Sequence, residues 1–351
     1  MQLGRTQLLV STGGARRAPP RVSPPRQVQT AVRRYQVYGQ QLDSELSFPE
    51  LRDAPAGEVT WTFRLGPGVE PPAIPDAPLL GQQVIYPGCL ARLFARTDGW
   101  TIVVDDTGVY DLGNCGRDIT WSRFPCGTMD FGRAHLLGRV LSTAIHFGGS
   151  LVLHGSAVSY PTGAVVFLAP KHTGKSTLAL ALTLAGARLM TDDTIAVAMS
   201  GAAAPEVWPG VHSLRLLPDT AAQLHPAAPR EQREDGKYLV TDLPPERLEE
   251  RARPLAAVYL LAAAESIEGG RAVARRPLPQ PLGAAALVGH GKISEMLGRA
   301  EAPILLQRAA RVASLVPIYQ LAVHRDLARL PEVVEQLAAW HAGPGGEGAP
   351  A

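Results

Sequence analysis

The chain has little cysteine, three residues in 351. Cys89, Cys115 and Cys126 form no Cys-x-x-Cys pair and have no histidine ligand set nearby. Neither a disulfide framework nor a zinc site is expected, and the three read as reduced thiols of a cytoplasmic protein. A long apolar run is also lacking. Nothing approaches the length of a membrane span, so no membrane partner is expected. There is no excess of charge of either sign: 34 basic against 32 acidic residues leave a formal net charge of +2. That removes any global electrostatic case for binding nucleic acid. Acidic residues are absent from residues 1–34, which hold seven arginines together with Pro19-Pro20 and Pro24-Pro25. Such a segment cannot bury enough apolar surface to order itself, and a disordered basic tail is expected. An Arg-rich, acid-free start also fits a transit peptide, whereas Gln2–Val10 is too short and too polar for a secretory signal.

What the chain does have is one dense stretch, residues 151–195. Ala164–Leu168 is an apolar run long enough for a buried strand. Ala169-Pro170-Lys171-His172-Thr173-Gly174-Lys175-Ser176-Thr177 then turns sharply. Leu178–Ala185 is a run of strong helix formers, stopped by Gly186. Strand, phosphate-sized turn and helix are the layout of a P-loop. The first amides of such a helix have no intrahelical partner and lie at the positive end of its dipole, so they cradle phosphate oxygens. Lys175 then reaches the β- and γ-phosphates, and the Ser176 hydroxyl is placed to ligate Mg²⁺. Ala169 stands where the usual pattern begins with glycine, and Pro170 has no amide hydrogen, so the start of the loop is stiff. A Gly-Lys-Ser-Thr that merely caps a helix is the plain alternative.

Arg188–Thr191 reads as a second strand, ending in Asp192-Asp193. Two adjacent carboxylates one helix beyond a P-loop can divide the work. One holds Mg²⁺ and the other accepts a hydroxyl proton. A solvated acidic turn is the alternative. His154 ends the apolar run Ser150–Leu153, just before Gly155-Ser156, on a strand beside that of the P-loop. It is an active-site candidate or a structural histidine.

Together these residues resemble the catalytic core of HPr kinase/phosphorylase, the bacterial protein-serine kinase related in fold to phosphoenolpyruvate carboxykinase. His154-Gly155, Gly174-Lys175-Ser176, Arg188-Leu189 and Asp192-Asp193 stand in that family's order. The resemblance implies an α/β fold, a carboxykinase-type P-loop domain preceded by a small β-rich N-terminal domain. It implies ATP and Mg²⁺, and transfer of the γ-phosphate to a Ser or Thr hydroxyl of a peptide or protein. Residues 169–177 would bind ATP, Ser176 and Asp192 the metal. Asp193 would accept the proton, with Lys175 and His154 beside the phosphates. Two departures stand out. Thr177 replaces the glutamate of the HPr enzymes, and their later metal-binding glutamate has no counterpart, Glu206 being the nearest acidic candidate. A looser set of related proteins is more similar. It includes kinases that phosphorylate precursor peptides in lasso-peptide gene clusters, and Tyr35–Leu51 resembles their opening pattern. A ribosomally made precursor peptide is then an implied acceptor. A small hydroxyl compound such as free serine, and a non-kinase nucleotide switch or ATPase, are the alternatives. A homo-oligomer is left open.

The expected organisation is a tail over 1–34, a β-rich domain over 35–149, the P-loop domain over 150–342 and a disordered tail over 343–351. In the β-rich part, Val59–Leu65 alternates as a strand does. Asp98-Gly99 and Thr107-Gly108 mark two hairpin turns. Asp130–Phe147 has helical periodicity, with His135 and His146 read as non-ligands. Downstream, a strand is expected to run on from Asp193 through Ile195–Met199. Arg215 and Lys237 are further candidates for contacting phosphate, Arg215 equally for a surface salt bridge. Leu255–Ala262 and Ile318–His324 read as strands, and Ala284–Arg299, Ile304–Leu315 and Leu330–Ala342 as helices.

Overall fold

Two hairpin turns and a run of alternating residues build the first sheet. The computed structural model describes residues 31–199, 203–226, 231–232 and 236–343. The first thirty residues and 344–351, expected as tails, lie outside them. The strands are β1 (Arg33–Val37), β2 (Gln40–Ser44), β3 (Arg52–Asp53), β4 (Trp61–Leu65), β5 (Leu79–Tyr86), β6 (Cys89–Ala95), β7 (Trp100–Val104), β8 (Gly108–Gly113) and β9 (Asp118–Arg123). They form one sheet in the order β3-β1-β2-β4-β9-β8-β7-β6-β5, so β5 lies at an edge. The first strand starts earlier than the expected domain boundary at 35. Arg33 and Arg34 belong to β1, because Arg34 grips Asp43 of β2 with Nε and Nη2 at 2.6 and 2.8 Å.

The helix expected over 130–147 forms, but it is not uniform. It runs as α1 (Met129–His135), a π turn (Leu136–Val140) and α2 (Leu141–Phe147). Side-chain hydroxyls occupy three successive carbonyls of the π turn. Tyr38 donates to Leu137 O (3.1 Å), Ser142 to Gly138 O, and Thr143 to Arg139 O (2.9 Å). Carbonyls engaged this way bend and widen a helix. Leu136, Leu137, Val140, Leu141 and Ile145 pack with Tyr35, Phe63, Tyr110 and Trp121 in one core, which Val152, Ala196, Ile293 and Met296 of the second half also join.

The second sheet carries the dense stretch. Its strands are β10 (Leu151–Leu153), β11 (Gly155–Tyr160), β12 (Gly163–Leu168), β13 (Arg188–Asp192), β14 (Ile195–Ala198) and β15 (Glu206–Trp208). A small separate sheet holds β16 (Leu214–Leu216), β17 (Glu231–Gln232) and β18 (Tyr238–Val240). The long β19 (Arg253–Ala264) returns to the second sheet, followed by β20 (Val273–Pro277) and β21 (Ile318–His324). The order is β10-β14-β15-β19-β12-β11-β13, with β21 also on β19 and β20 on β21. The helices are α3 (Lys175–Leu184), α4 (Pro218–Leu224), α5 (Gln280–Gly289), α6 (Ala302–Leu315) and α7 (Leu330–Trp340). β12 is buried throughout, and its residues alternate between two cores. Val165 and Phe167 pack with α3 and α7, whereas Ala164, Val166 and Leu168 pack with α5 and α6. The result is a mixed sheet with helices on both faces. The described residues from Val32 on form one compact unit.

Two expected elements differ. The helix expected over 284–299 is α5, which ends at Gly289; Gly291 instead bridges to Leu153. Glycines on both sides of His290 let the chain leave the helix and return to the sheet. The strand expected to run on through Asp193 breaks there. Thr194 N–H donates to Asp192 O (3.0 Å), and Asp193 has φ +73°. Short polar residues tolerate that left-handed backbone.

Candidate functional site

Two strand breaks at the same level create the site. Leu153 pairs with Ile195 and Ser156 pairs with Asp192. Between these pairs both chains cross from one part of the sheet to the other, and the residues at the crossings are His154 and Asp193. His154 Nδ1 donates to the Asp193 carbonyl oxygen at 3.0 Å and lies 3.3 Å from its carboxylate Oδ1. A carbonyl can only accept, so Nδ1 carries the proton. The crossing needs glycine at 155. A Cβ there would stand 2.4 Å from Phe167 O and 2.8 Å from Leu168 Cδ2. Gly155→Ala is therefore expected to cost about 2 kcal/mol or more in denaturant unfolding. A variant of parental stability would mean that the strands do not approach this closely.

The turn after β12 delivers the next group. His172 and Gly174 have φ of +64° and +96°, and a Cβ on Gly174 would meet nothing within 4 Å. The first backbone bond of α3 is Leu178 N–H to Gly174 O, and no side chain caps the helix. The amides before Leu178 thus have no i→i−4 partner within the helix. Lys175 is buried and donates to the carbonyls of Ala169 (2.8 Å) and Pro170 (3.0 Å). Burial lowers its pKa, while Asp192 and then Asp193 oppose that. Thr173 closes the turn on Pro170 O, and Lys171 and His172 are exposed at its tip.

Ser176, in the first turn of α3, donates to Asp192 Oδ2 at 2.8 Å and sits 3.1 Å from Oδ1. Ser156 donates to the same carboxylate. Burial raises the pKa of Asp192 against these hydrogen bonds, and Asp193 adds to the rise. Hydroxyl and carboxylate are hard oxygen donors of the kind that suits Mg²⁺. Among the described residues no cluster of three or more His, Cys, Asp or Glu is placed to hold a metal ion.

Asp193 has a partner that the sequence did not suggest. Lys292 Nζ, after the end of α5, lies 2.6 Å from Asp193 Oδ2, with side-chain exposures of 11% and 41%. Burial alone would raise the Asp193 pKa. Lys292 above all, then His154 and Arg215, hold it well below the usual carboxylate range. His290 belongs to the same segment. It accepts the His154 backbone N–H on its carbonyl (2.8 Å), and burial, with Lys175 and His154, lowers its pKa. The Gly-His-Gly-Lys run was the available signal. Arg215 and Lys237 do reach the site electrostatically, the first through Asp193 and the second through Lys175. Glu206 does not. It pairs with Ala198 and Pro254, at the far end of β14 from Asp193, so no second acidic metal ligand comes from there.

No family model and no curated protein matches the chain. Among solved structures it is similar to the Hpr(Ser) kinase/phosphatase from Coxiella burnetii, at 13% identity over 54% of this chain and 96% of that chain, with a TM-score of 0.30. A likeness at that level assigns no function. Among the described residues no helix is long and apolar enough to cross a membrane.

Proposed function

We propose that the chain is an ATP-dependent kinase of the HPr-kinase type, transferring a γ-phosphate to a Ser or Thr hydroxyl on a peptide or protein. The observation that carries this is the meeting of Ser176, from the start of α3, with Asp192, from the end of β13, beside the open amides of the turn. Residues 150–342 form the nucleotide half, and residues 35–149 supply the wall that faces the acceptor. Amides of 169–177 and the Lys175 ammonium neutralise phosphate charge, the main source of acceleration in phosphoryl transfer. Ser176 and Asp192 would hold Mg²⁺, which would supply further neutralisation of phosphate charge. Asp193 orients the acceptor hydroxyl and takes its proton, while Lys292 and His154 fix the carboxylate.

The test is direct. The chain is titrated with MgADP by calorimetry, then incubated with MgATP and serine-containing peptides, with phosphoserine read by mass spectrometry. Lys175→Ala should lower nucleotide affinity by about tenfold or more, the scale of one lost charge-assisted contact, and leave the circular dichroism unchanged. Absence of nucleotide binding by the parent would end this reading. ATP turnover without an acceptor and without a phosphorylated product would replace it with an ATPase.

A further inference from the structure

Arg139 sits beside the site with most of its hydrogen-bonding capacity unused. It belongs to the π turn, and a Cβ on its neighbour Gly138 would lie 4.0 Å from Asp193 Oδ2. Its Nε donates to Gln83 Oε1 of edge strand β5 at 3.0 Å, and its Nη1 to His135 Nδ1 at 3.3 Å. Both partners are uncharged. Burial first, and the Arg139 charge second, push the His135 imidazole down to about 4, which leaves Nδ1 free to accept. Among the described residues no carboxylate forms an ion pair with Arg139, and none does with the exposed side chain of Arg215. A guanidinium has five donors, and two are used.

Position decides what the remaining donors are for. Burial lowers the pKa of Arg139; Asp193 opposes that most strongly, and Arg215 adds to it. The charges that act on Lys175 are Asp192 and Asp193, then Lys237 and Lys292. Lys175 is held on the turn after β12 by the carbonyls of Ala169 and Pro170, whereas Arg139 lies on the π turn whose Gly138 faces the Asp193 carboxylate. Phosphate belongs at that turn, with Lys175. Arg139 is half-buried, is held at two points by neutral groups and forms no direct ion pair with a carboxylate among the described residues. Such a cation calls for an anionic ligand, and a planar fork suits a carboxylate.

We propose that Arg139, fixed by Gln83 and His135, binds a carboxylate that the acceptor carries next to its reacting hydroxyl. This rests on the kinase reading above and narrows its substrate to an acidic one, an acidic peptide segment in the first instance. Free serine would offer the same group from a second source.

The experiment titrates the full chain, loaded with MgADP, with two end-blocked hexapeptides that differ only in the residue after serine, aspartate or asparagine. Free serine is titrated in parallel. The aspartate peptide should bind about tenfold tighter than the asparagine peptide. Arg139→Gln should abolish that difference and leave MgADP affinity within about twofold. Free serine binding tightest, and losing its affinity in Arg139→Gln, would assign the subsite to an α-carboxylate and still support it. Equal binding of the two peptides without serine binding, or discrimination that survives Arg139→Gln, overturns the proposal. Should Arg139→Gln lose its fold by circular dichroism, Gln83→Leu removes one anchor from an edge strand, and discrimination should drop by about threefold or more. Unaltered discrimination there also overturns it. Arg139-dependent peptide binding with no phosphorylation under MgATP would leave the subsite standing and remove the kinase reading.

Discussion

Asp193→Asn should lower phosphoryl transfer by about 10²–10⁴-fold, the contribution of a positioned proton acceptor, with MgADP binding retained. Nucleotide affinity should persist because Lys175, Ser176, Asp192 and the turn amides are untouched. A carboxylate held as low as Asp193 is a weak equilibrium base. In a loose transition state, however, little bond to the hydroxyl has formed, and its proton leaves late. Asp193 then acts mainly by orientation, which explains why two groups clamp it. The single variant also strands the Lys292 ammonium. That costs less than the about 3–5 kcal/mol of breaking a fully buried pair, because Asp193 keeps 41% exposure. Adding Lys292→Met removes the stranded charge. The double variant should regain stability in denaturant titration and stay inactive. If it regains transfer as well, Asp193 was needed only as a counter-charge and the proton-acceptor role falls. Asp192→Asn is the contrast, expected to raise the Mg²⁺ concentration for half-maximal activity.

The parts of this site that were legible in the sequence are those set by local physics. Ala164–Leu168, Gly174-Lys175-Ser176 and the helix formers of Leu178–Ala185 give strand, turn and helix from an apolar run, glycine and propensity alone. Asp98-Gly99 and Thr107-Gly108 turn where expected, between β6 and β7 and between β7 and β8. What stayed hidden depends on pairings distant in the chain. The break at Asp193 exists because β10 and β11 diverge opposite it, which no window around Asp193 contains. Lys292 lies 99 residues from its partner, in a run whose alanines and leucines favour helix and mask the two glycines that end it. Arg139 reads as one more residue of an amphipathic helix. Only the hydroxyls of Tyr38, Ser142 and Thr143, and the edge strand bearing Gln83, turn that helix into a wall of the site.

Acid should destabilise the protein well before ordinary carboxylates are protonated. His135, His212 and His341 each have a pKa lowered to about 4, with burial the first cause in every case. Each is held neutral in a fixed bond: His135 Nδ1 accepts from Arg139, His212 Nε2 meets Glu249 O at 2.9 Å, and His341 Nε2 meets Tyr259 Oη at 2.9 Å. In the unfolded chain the same imidazoles protonate near pH 6.5. Between about pH 6.5 and 4 the unfolded state binds more protons than the folded one, so stability is fully present above that window and is lost as pH falls through it. Each histidine contributes a slope of up to about 1.4 kcal/mol per pH unit, and the three together about 4. A total stability of about 5–15 kcal/mol cannot absorb that for long. The melting temperature should drop by about 10 °C from pH 7 to pH 5. His341→Gln, which replaces a ring far from Asp193 with a neutral group, should flatten the slope by about a third. A melting temperature that is level from pH 7 to pH 5 would show that these rings titrate normally in the folded state. For His135 that outcome would also charge the ring at mildly acidic pH, where it could no longer accept from Arg139.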